Sequence, residues 1–355
     1  MRIIKIRFMK EFSDSLISWQ KKEGRNDLPW QININPYKVW VSEIMLQQTQ
    51  VKTVIPYFNK FIKSFPNVKA LSKASEDKVL SLWSGLGYYS RARNLHKSSS
   101  IIVKKFNGDL PSNLEDLESL PGVGRSTAGA ILSIGFGLPS AILDANVERV
   151  LSRFFAFNEN INKFASQKKL WNLSESLVPS SNSAKYTQAI MDLGATVCKK
   201  NNPSCNVCPV AKMCLALEQE KVNELPLKAI PKKKVLKSVY WLVLEDKEKR
   251  LFLEKRHQDA VWKGLWSFKE FSNASDLKKF CELNIGKGEF SKIRSLELKH
   301  SFSHYNLDVK SIYIRSDKTM KNKVNESSWF NKKDLIKVGI PRPTKRIIEM
   351  INEYV

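Results

Sequence analysis

The spacing of apolar and polar residues changes character about two thirds of the way along the chain. Up to about Glu224, apolar residues recur every three or four positions, which is typical of helices that bury one face. This pattern predicts ten helices, at 8–19, 39–46, 51–65, 77–83, 94–106, 114–120, 126–134, 147–157, 168–177 and 186–197. Short segments that contain Pro, Gly or Asn separate them. The first two thirds of the chain are therefore predicted to be mainly helical.

The last third instead alternates β-branched and aromatic residues with polar ones, which is typical of strands. The predicted strands are 238–244, 251–256, 290–302 and 307–315, with helices at 276–283 and 344–354. Residues 225–237 contain two prolines and three consecutive lysines, which is typical of a linker. We therefore expect a helical domain over 1–224, a linker over 225–237 and an α+β domain over 238–355.

Charge adds a first indication of function. The 355 residues include 59 Lys and Arg against 35 Asp and Glu, a net charge of +24, which attracts polyanions such as nucleic acids. No apolar run approaches the roughly 20 residues of a membrane-spanning helix. Residues 1–10 lack the apolar core of a signal peptide. These features predict a cytoplasmic protein.

Four of the five cysteines form a compact box, C-x6-C-x2-C-x5-C, at Cys198, Cys205, Cys208 and Cys214. Clustered cysteines in a reducing compartment indicate a metal site rather than disulfides. Four thiolates hold either zinc or an iron–sulfur cluster. Zinc sites usually combine two short C-x2–4-C pairs, and this box has one, so the spacing favours a cluster while zinc stays possible. Cys281 lies far from the box and is interpreted as a buried, inert thiol.

A glycine turn joins two predicted helices at Leu120-Pro121-Gly122-Val123-Gly124. Glycines leave backbone N–H groups uncovered, and the helix that begins near Arg125 directs its own N–H groups to the same place, as a bound phosphate requires. A dinucleotide-binding loop is excluded, because the G-x-G-x-x-G spacing is absent and a helix, not a strand, precedes the turn. An ordinary helix–helix turn remains the alternative.

Several motifs in order resemble the helix-hairpin-helix DNA glycosylases and, within them, the MutY family of adenine DNA glycosylases. The matching segments are LPGVGRSTAGAIL (120–132), VWVSEIMLQQTQV (39–51), GLGYYSRARNLHK (85–97), LDANVERVL (143–151) and QAIMDLGATVC (188–198). The resemblance implies a mainly α glycosylase domain with a helix-hairpin-helix motif and a [4Fe–4S] cluster on the cysteine box, followed by an α+β Nudix-like domain. The implied reaction is hydrolysis of the N-glycosidic bond of adenine mispaired with 8-oxoguanine or guanine. The implied partner is double-stranded DNA, bound by a monomer in the cytoplasm near the nucleoid.

Two carboxylates have the surroundings that this reaction needs. Glu43 lies in an apolar run, which favours the neutral carboxyl and raises its pKa, as suits a general acid. Asp144 precedes a predicted helix, whose N–H groups keep a carboxylate ionised. The resemblance implies that Glu43 protonates adenine N7, that Asp144 stabilises the oxocarbenium-like sugar or attacks it, and that Asn146 supports the site. An exposed glutamate and a purely structural helix cap are the alternatives.

The resemblance also implies a set of DNA contacts. Leu28 and Trp30 would line the adenine pocket, Leu46 and Gln48 would enter the duplex with Gln48 as a wedge, and Thr49 and Tyr88 would lie near the opposite purine. Gly122 and Gly124 would bind the phosphate. Ser126 stands where bifunctional relatives carry a lysine nucleophile, which predicts a monofunctional enzyme. Core packing remains the alternative for Leu28, Trp30 and Tyr88.

The C-terminal domain begins like a Nudix box at 264–270, but residues 278–283 read KKFCEL where the motif needs R-E-x-x-E-E, and a lysine in place of a carboxylate cannot hold Mg²⁺. A Nudix hydrolase is therefore disfavoured. The resemblance implies instead that the segment Phe302-Ser303-His304 contacts the lesion base. A polar hairpin turn is the alternative for that segment. For the whole chain, a non-catalytic iron–sulfur DNA-binding scaffold and a bifunctional pyrimidine glycosylase/lyase remain the alternatives.

Overall fold

The structure is a computed structural model that describes residues 2–229, 233–257, 260–286, 294–316 and 326–354. Its contacts divide the chain into two compact units. The first combines Met1–Ser72 with Lys97–Pro231, and the second combines Lys73–His96 with Lys232–Val355. The second unit thus includes Lys73–His96, a stretch that the sequence pattern assigns to the helical domain.

Helices account for almost all regular structure before the linker, which confirms the predicted mainly α part. Their bounds are α1 Arg2–Glu23, α2 Pro36–Leu46, α3 Val51–Ser64, α4 Val68–Ser72, α5 Glu76–Trp83, α6 Ser90–Lys105, α7 Leu114–Glu118, α8 Arg125–Ala130, α9 Ala145–Phe154, α10 Phe164–Leu177, α11 Ser183–Asp192 and α12 Leu215–Glu218. Two π-helical segments follow α8 and α11 directly, at Ile131–Gly135 and Leu193–Val197.

Side-chain caps and a shared core explain where the helices of the first unit lie. The Asn35 side chain accepts the Lys38 N–H at the start of α2, and Asp144 accepts two N–H groups at the start of α9. Helices α1, α9, α10 and α11 share one core, in which the rings of Phe12 and Phe154 lie 4.3 Å apart. This core fixes α9 and α11, both of which reach the candidate site.

A seven-stranded mixed sheet forms the centre of the second unit. Its strands are β1 Val235–Glu245, β2 Leu251–Lys255, β3 Trp266–Ser267, β4 Lys269–Phe271, β5 Arg294–Ser301, β6 Tyr305–Arg315 and β7 Ser327–Phe330. The order is β3-β2-β1-β6-β5, with β4 on β1 and β7 on β2. Strands β1 and β6 run parallel, and Val239 pairs with Val309; the other pairs are antiparallel.

Alternating residues of the sheet pack into two cores. Trp241 and Val243 belong to one core, with α14 (Arg342–Tyr354), and Leu242 and Leu244 belong to the other, with α13 (Ala274–Asn284). The sheet and its two helices confirm the predicted α+β class. Residues 290–293 of the predicted strand 290–302 lie outside the described residues. Among the described helices, none has the length and apolar character that crossing a bilayer requires.

Candidate functional site

The first unit contains a cavity of about 450 Å³ at the end of α2, the start of α9 and one face of α11. Ligand sites in proteins commonly have this size. Its walls include seven residues selected from the sequence, namely Leu28, Trp30, Glu43, Leu46, Thr49, Asp144 and Asn146. The structure therefore brings both candidate carboxylates and the two candidate base-pocket residues to one place.

Glu43 has the environment that its apolar neighbours predict. It lies on α2 between Ser42 and Ile44, which are both buried, and its own side chain is only partly exposed. Burial first, and then the charge of Asp144, raise the pKa of its carboxyl from 4.5 to about 7. A carboxyl with this pKa is available as a proton donor at neutral pH.

Asp144 caps α9 as its position predicts. Its Oδ1 accepts the N–H groups of Asn146 at 2.9 Å and of Val147 at 2.8 Å. Burial nevertheless outweighs these bonds, so the net direction of the Asp144 pKa is upward from 3.8. The two carboxyls are coupled, because a negative charge on Asp144 raises the pKa of Glu43, while the two N–H groups of α9 favour the ionised form of Asp144.

Arg149 connects this cavity to the cysteine box. Its Nη2 donates to Asn146 Oδ1 at 2.9 Å and to the Gly194 carbonyl at 2.6 Å, and its Nε donates to the Cys198 carbonyl at 2.7 Å. A Cβ on Gly194 would lie 2.6 Å from the Asn146 Cβ, so only glycine fits at this close approach. The contacts of one guanidinium therefore hold Asn146 in place.

The four cysteines of the box line a second, smaller cavity in the same unit. All four are partly buried, and none forms a disulfide. Burial first, and then the charges of the neighbouring thiols, raise the pKa of Cys208 to about 12. Burial likewise raises the pKa of Cys205 and Cys214, so these thiols favour their neutral form, a preference that bound metal cations would reverse.

Arg153 provides a test of what this cavity fits. Its side chain is 2% exposed and donates to the carbonyls of Leu225, Lys199 and Lys200 and to Cys198 Sγ, at 2.7 to 3.4 Å. Within the described part of the chain, no carboxylate pairs with it. A buried guanidinium requires a nearby negative charge, and an anionic thiolate-ligated centre in this cavity would supply one.

The glycine turn lies between α7 and α8, where the sequence places it. Gly122 has a φ of +81°, which favours glycine, whereas Gly124 is extended and a Cβ there would meet open space. The Ser126 hydroxyl accepts the Leu143 N–H at 3.1 Å, one residue before Asp144. Ser126 is therefore placed to fix the backbone at Asp144, although it does not line the large cavity.

The loop after α2 carries Gln48 in a left-handed conformation, with a φ of +55°. Its side chain is exposed, while the neighbouring Gln47 donates to Thr127 Oγ1 at 3.3 Å. A non-glycine residue in this region of conformational space is uncommon and often marks a functional position. The loop is thus anchored at Gln47 and projects Gln48 outwards.

The remaining selected residues belong to the second unit, where a cavity of about 350 Å³ lies. Tyr88, Phe302 and Ser303 line it, and His304 is exposed beside Ser303 at the tip of the β5–β6 hairpin. Tyr88 is 47% exposed and has a φ of +48°. Tyr89, in contrast, is buried, and its hydroxyl donates to the Ile340 carbonyl at 3.0 Å.

Sequence reasoning did not select six further residues that line the large cavity: Arg25, Gln50, Val51, Gln188, Met191 and Ala195. A signal for three of them was present, because Gln188, Met191 and Ala195 are spaced three and four apart, as on one helix face. No local signal points to Arg25, whose guanidinium donates to Asp192 Oδ1 at 2.6 Å across the fold.

Comparisons with known proteins identify the class of enzyme to which the chain belongs. A family model described as HhH-GPD superfamily base excision DNA repair protein matches residues 41–176, and a NUDIX domain model matches residues 240–350. A solved structure of a thermostable thymine-DNA glycosylase is 28% identical, with a TM-score of 0.55, and the match covers 60% of this chain and 98% of that chain. Fold and matches define a helix-hairpin-helix DNA glycosylase of base excision repair.

Full-length relatives narrow the class. The adenine DNA glycosylase of Buchnera aphidicola subsp. Baizongia pistaciae (strain Bp) is 43% identical over 345 residues, which are 97% of each chain. That of Homo sapiens is 42% identical over 223 residues, 60% of this chain and 41% of the human one. The chain belongs to the adenine DNA glycosylase family. The predicted family, fold class and enzyme class are confirmed: the protein hydrolyses N-glycosyl bonds in DNA.

Proposed function

We propose that this glycosylase removes adenine mispaired with 8-oxoguanine or guanine, and that it is monofunctional. One observation carries the proposal. Glu43 and Asp144 line the same cavity, where burial favours the neutral form of Glu43 and two helix N–H groups favour the anionic form of Asp144. Near pH 7 the cavity therefore offers one proton and one negative charge, which is the pair that glycoside hydrolysis requires.

The two carboxylates divide the chemistry between them. Glu43 protonates adenine at N7, so that the base departs as a neutral leaving group. Asp144, held by the two N–H groups of α9, stabilises the positive charge that develops on the sugar, or bonds to it transiently. Asn146, fixed by Arg149, keeps the Asp144 end of the cavity in position. Water then completes the hydrolysis and leaves an abasic site.

Ser126 supports a monofunctional reaction. A bifunctional enzyme forms a Schiff base with a lysine amine, and a serine hydroxyl has no nitrogen to form one. In this structure the Ser126 Oγ instead accepts the Leu143 N–H. The strand is therefore not cut by the enzyme itself.

Recognition of the mispair is assigned to residues of both units. An adenine inside a duplex must rotate out before it reaches Glu43. The exposed, left-handed Gln48 suits a wedge that fills the gap, with Leu46 and Thr49 beside it, and Gly122 and Gly124 suit a backbone phosphate. In the second unit, Tyr88 offers a ring to stack on the opposite purine, and Ser303 and His304 offer hydrogen-bonding groups to its edge. Phe302 supports this hairpin.

The four cysteines are proposed to hold a [4Fe–4S] cluster, with Arg153 as the buried cation beside it. Within the described residues, no three His, Cys, Asp or Glu side chains are arranged to hold one single metal ion between them. A zinc site needs four sulfurs about 2.3 Å from one ion, whereas a cluster takes one thiolate per iron and holds them further apart. The cluster would supply a rigid centre that ties Cys198 to the segment 205–214.

The partner and the location follow from the same properties. A net charge of +24 favours double-stranded DNA, and we place the enzyme, as a monomer, in the cytoplasm at the nucleoid.

The test is excision from a duplex that contains adenine opposite 8-oxoguanine, scored for strand breaks with and without alkali. Breaks only after alkali support the proposal. Glu43→Gln and Asp144→Asn should bind the duplex and leave it intact. Strand breaks without alkali, or a covalent adduct trapped by borohydride in good yield, would overturn the monofunctional assignment. Iron analysis of the purified protein tests the cluster, since zinc in place of iron contradicts it.

A further inference from the structure

A turn in the second unit holds a tryptophan in an unfavourable backbone conformation. The Lys263 N–H donates to the Ala260 carbonyl at 3.1 Å, which closes a four-residue turn. Its third residue, Trp262, has a φ of +64°. This position of a turn favours Gly or Asn, and a bulky residue there costs free energy. Such an outlier indicates that the side chain is needed where it lies.

One side of the Trp262 ring contacts a rigid support. The ring of Trp241, which is fully buried, lies 6.0 Å away at 70°, and the Arg256 guanidinium lies 5.8 Å from the Trp262 centroid. Glu270 fixes this support, because its Oε2 accepts from Trp241 Nε1 and from Arg256 Nη2, both at 2.9 Å. The support belongs to strands β1 and β4 and to the end of β2.

The Trp262 ring also contacts the β5–β6 hairpin. Its centroid lies 5.2 Å from Phe302 and 5.8 Å from His300. Phe302 in turn stacks on Tyr305 at 4.6 Å, and its N–H donates to the Tyr305 carbonyl at 2.9 Å. The exposed Ser303 and His304 form the tip between these two rings. The tip is therefore exposed and is positioned through the packing of Phe302 and Tyr305 on either side of it.

We infer that Trp262 is a positioning residue that holds the Phe302-Ser303-His304 hairpin in the conformation that reads the base opposite the adenine. The inference rests on the proposed function. Trp262 also lines the cavity of about 350 Å³ together with Tyr88 and Ser303, so its ring forms the wall against which the hairpin is set. Glu43 and Asp144 belong to the other unit.

Fixing a loop before binding increases affinity, because the loop does not have to be ordered when the ligand arrives. Loss of the Trp262 ring leaves the Phe302 ring packed only on His300 and Tyr305 of its own hairpin, while Lys234 Nζ still donates to the Phe302 carbonyl at 2.6 Å. Binding that depends on Ser303 and His304 should then weaken, while binding to the rest of the duplex and excision chemistry should not. The expected signature is a reduced preference for 8-oxoguanine over guanine, not a general loss of activity.

The test measures dissociation constants in the full-length Glu43→Gln background, at one salt concentration, for duplexes with adenine opposite 8-oxoguanine and opposite guanine. Trp262→Gly removes the ring and also places a residue that tolerates the left-handed backbone at this position. A lower preference for 8-oxoguanine in this variant therefore cannot come from added backbone strain. We expect it to reduce the ratio of the two constants about tenfold, as loss of a well-packed aromatic contact does. Trp262→Phe, which keeps a ring, should stay within about threefold of the parent.

Trp329→Ala is the matched control. It removes another half-buried indole, which packs on Phe252 at the opposite face of the same sheet. Trp329→Ala should leave the ratio of the two dissociation constants unchanged. A second measurement uses Trp262→Gly with Glu43 intact: its excision rate for adenine opposite guanine should stay within about threefold of the parent rate. If Trp262→Gly does not fold, Trp262→Asn is a second ring-free variant that tolerates the left-handed backbone.

Two results would overturn the inference: a parental ratio in the ring-free variants, or an equal fall in Trp329→Ala. A parent with no preference for 8-oxoguanine would instead refute lesion reading by the hairpin, whereas the proposed adenine excision itself fails only if no alkali-sensitive site forms in the duplex.

Discussion

Replacing Glu43 by glutamine should stabilise the protein at pH 8 while it removes base excision. Burial raises the pKa of Glu43 from 4.5 to about 7. Between these pH values the folded protein keeps a proton that the unfolded chain has lost, so the free energy of unfolding falls as the pH rises. The full rise corresponds to about 3.4 kcal/mol, at 1.36 kcal/mol for each pKa unit.

Because the side chain is partly exposed, solvent reduces this figure, and we expect a gain of about 2 to 3 kcal/mol for Glu43→Gln at pH 8. Glutamine has no charge to bury, so the gain should vanish below pH 4.5, where Glu43 is neutral in both states. The excision rate should fall about 100-fold or more, as loss of a general acid does. In the parent enzyme the excision rate should decline as the pH rises through about 7, because Glu43 then loses the proton that it donates.

The assay is urea unfolding of the holoenzyme at pH 4.5, 6 and 8, followed by circular dichroism and extrapolated to zero denaturant. Glu118→Gln is the control, since it removes the same charge from an exposed position at the end of α7. A gain of the same size at all three pH values, or none at pH 8, would refute the assignment of Glu43 as the buried acid.

Three further changes test the neighbouring contacts. Asp144→Asn keeps a helix cap but loses the charge, so excision should fall at least about 100-fold while duplex affinity, measured by titration, stays within about threefold. Arg149→Lys replaces the guanidinium, which donates from Nε and Nη2, with a single nitrogen that cannot reach all three acceptors, so the single-turnover rate should fall about tenfold through a mobile Asn146, with the cysteine-bound iron retained; unchanged kinetics would contradict this. Asp192→Asn leaves Arg25 without its buried partner, so the free energy of unfolding should drop by about 3 kcal/mol in a denaturant titration, and a stable variant would show that the pair contributes little.

The helical part of the fold follows from local periodicity, but its irregular segments do not. The predicted helix 186–197 is a helix only to Asp192 and continues as a π-helical segment to Val197. Over five residues, the apolar spacing of a π-helix differs too little from that of an α-helix to be distinguished in sequence. The short strands β3 and β4 were not predicted either, because two or three residues show no alternation.

The candidate site likewise combines residues that the sequence could reveal with residues that it could not. Glu43 and Asp144 could be selected because each has a local signal, an apolar run in one case and a helix start in the other. Arg25 has none, since its partner Asp192 lies 167 residues further along the chain. At Trp262 a local signal exists but favours other residues, because turn rules predict Gly or Asn at its position. Only tertiary contacts explain an indole there.

The membership of residues 73–96 in the second unit has a consequence for how the protein is made. Ser84 Oγ and the Tyr89 hydroxyl donate to the carbonyl of Ile340, which leaves the ribosome about 250 residues later. At about 5 to 20 residues per second, that delay is roughly 12 to 50 s. During this delay the chain already contains both carboxylates of the first unit, while the residues that contact the segment 73–96, such as Ile340, have not yet been synthesised. A premature stop codon in the last third of the gene would therefore yield a chain with both carboxylates and no complete unit to read the opposite base.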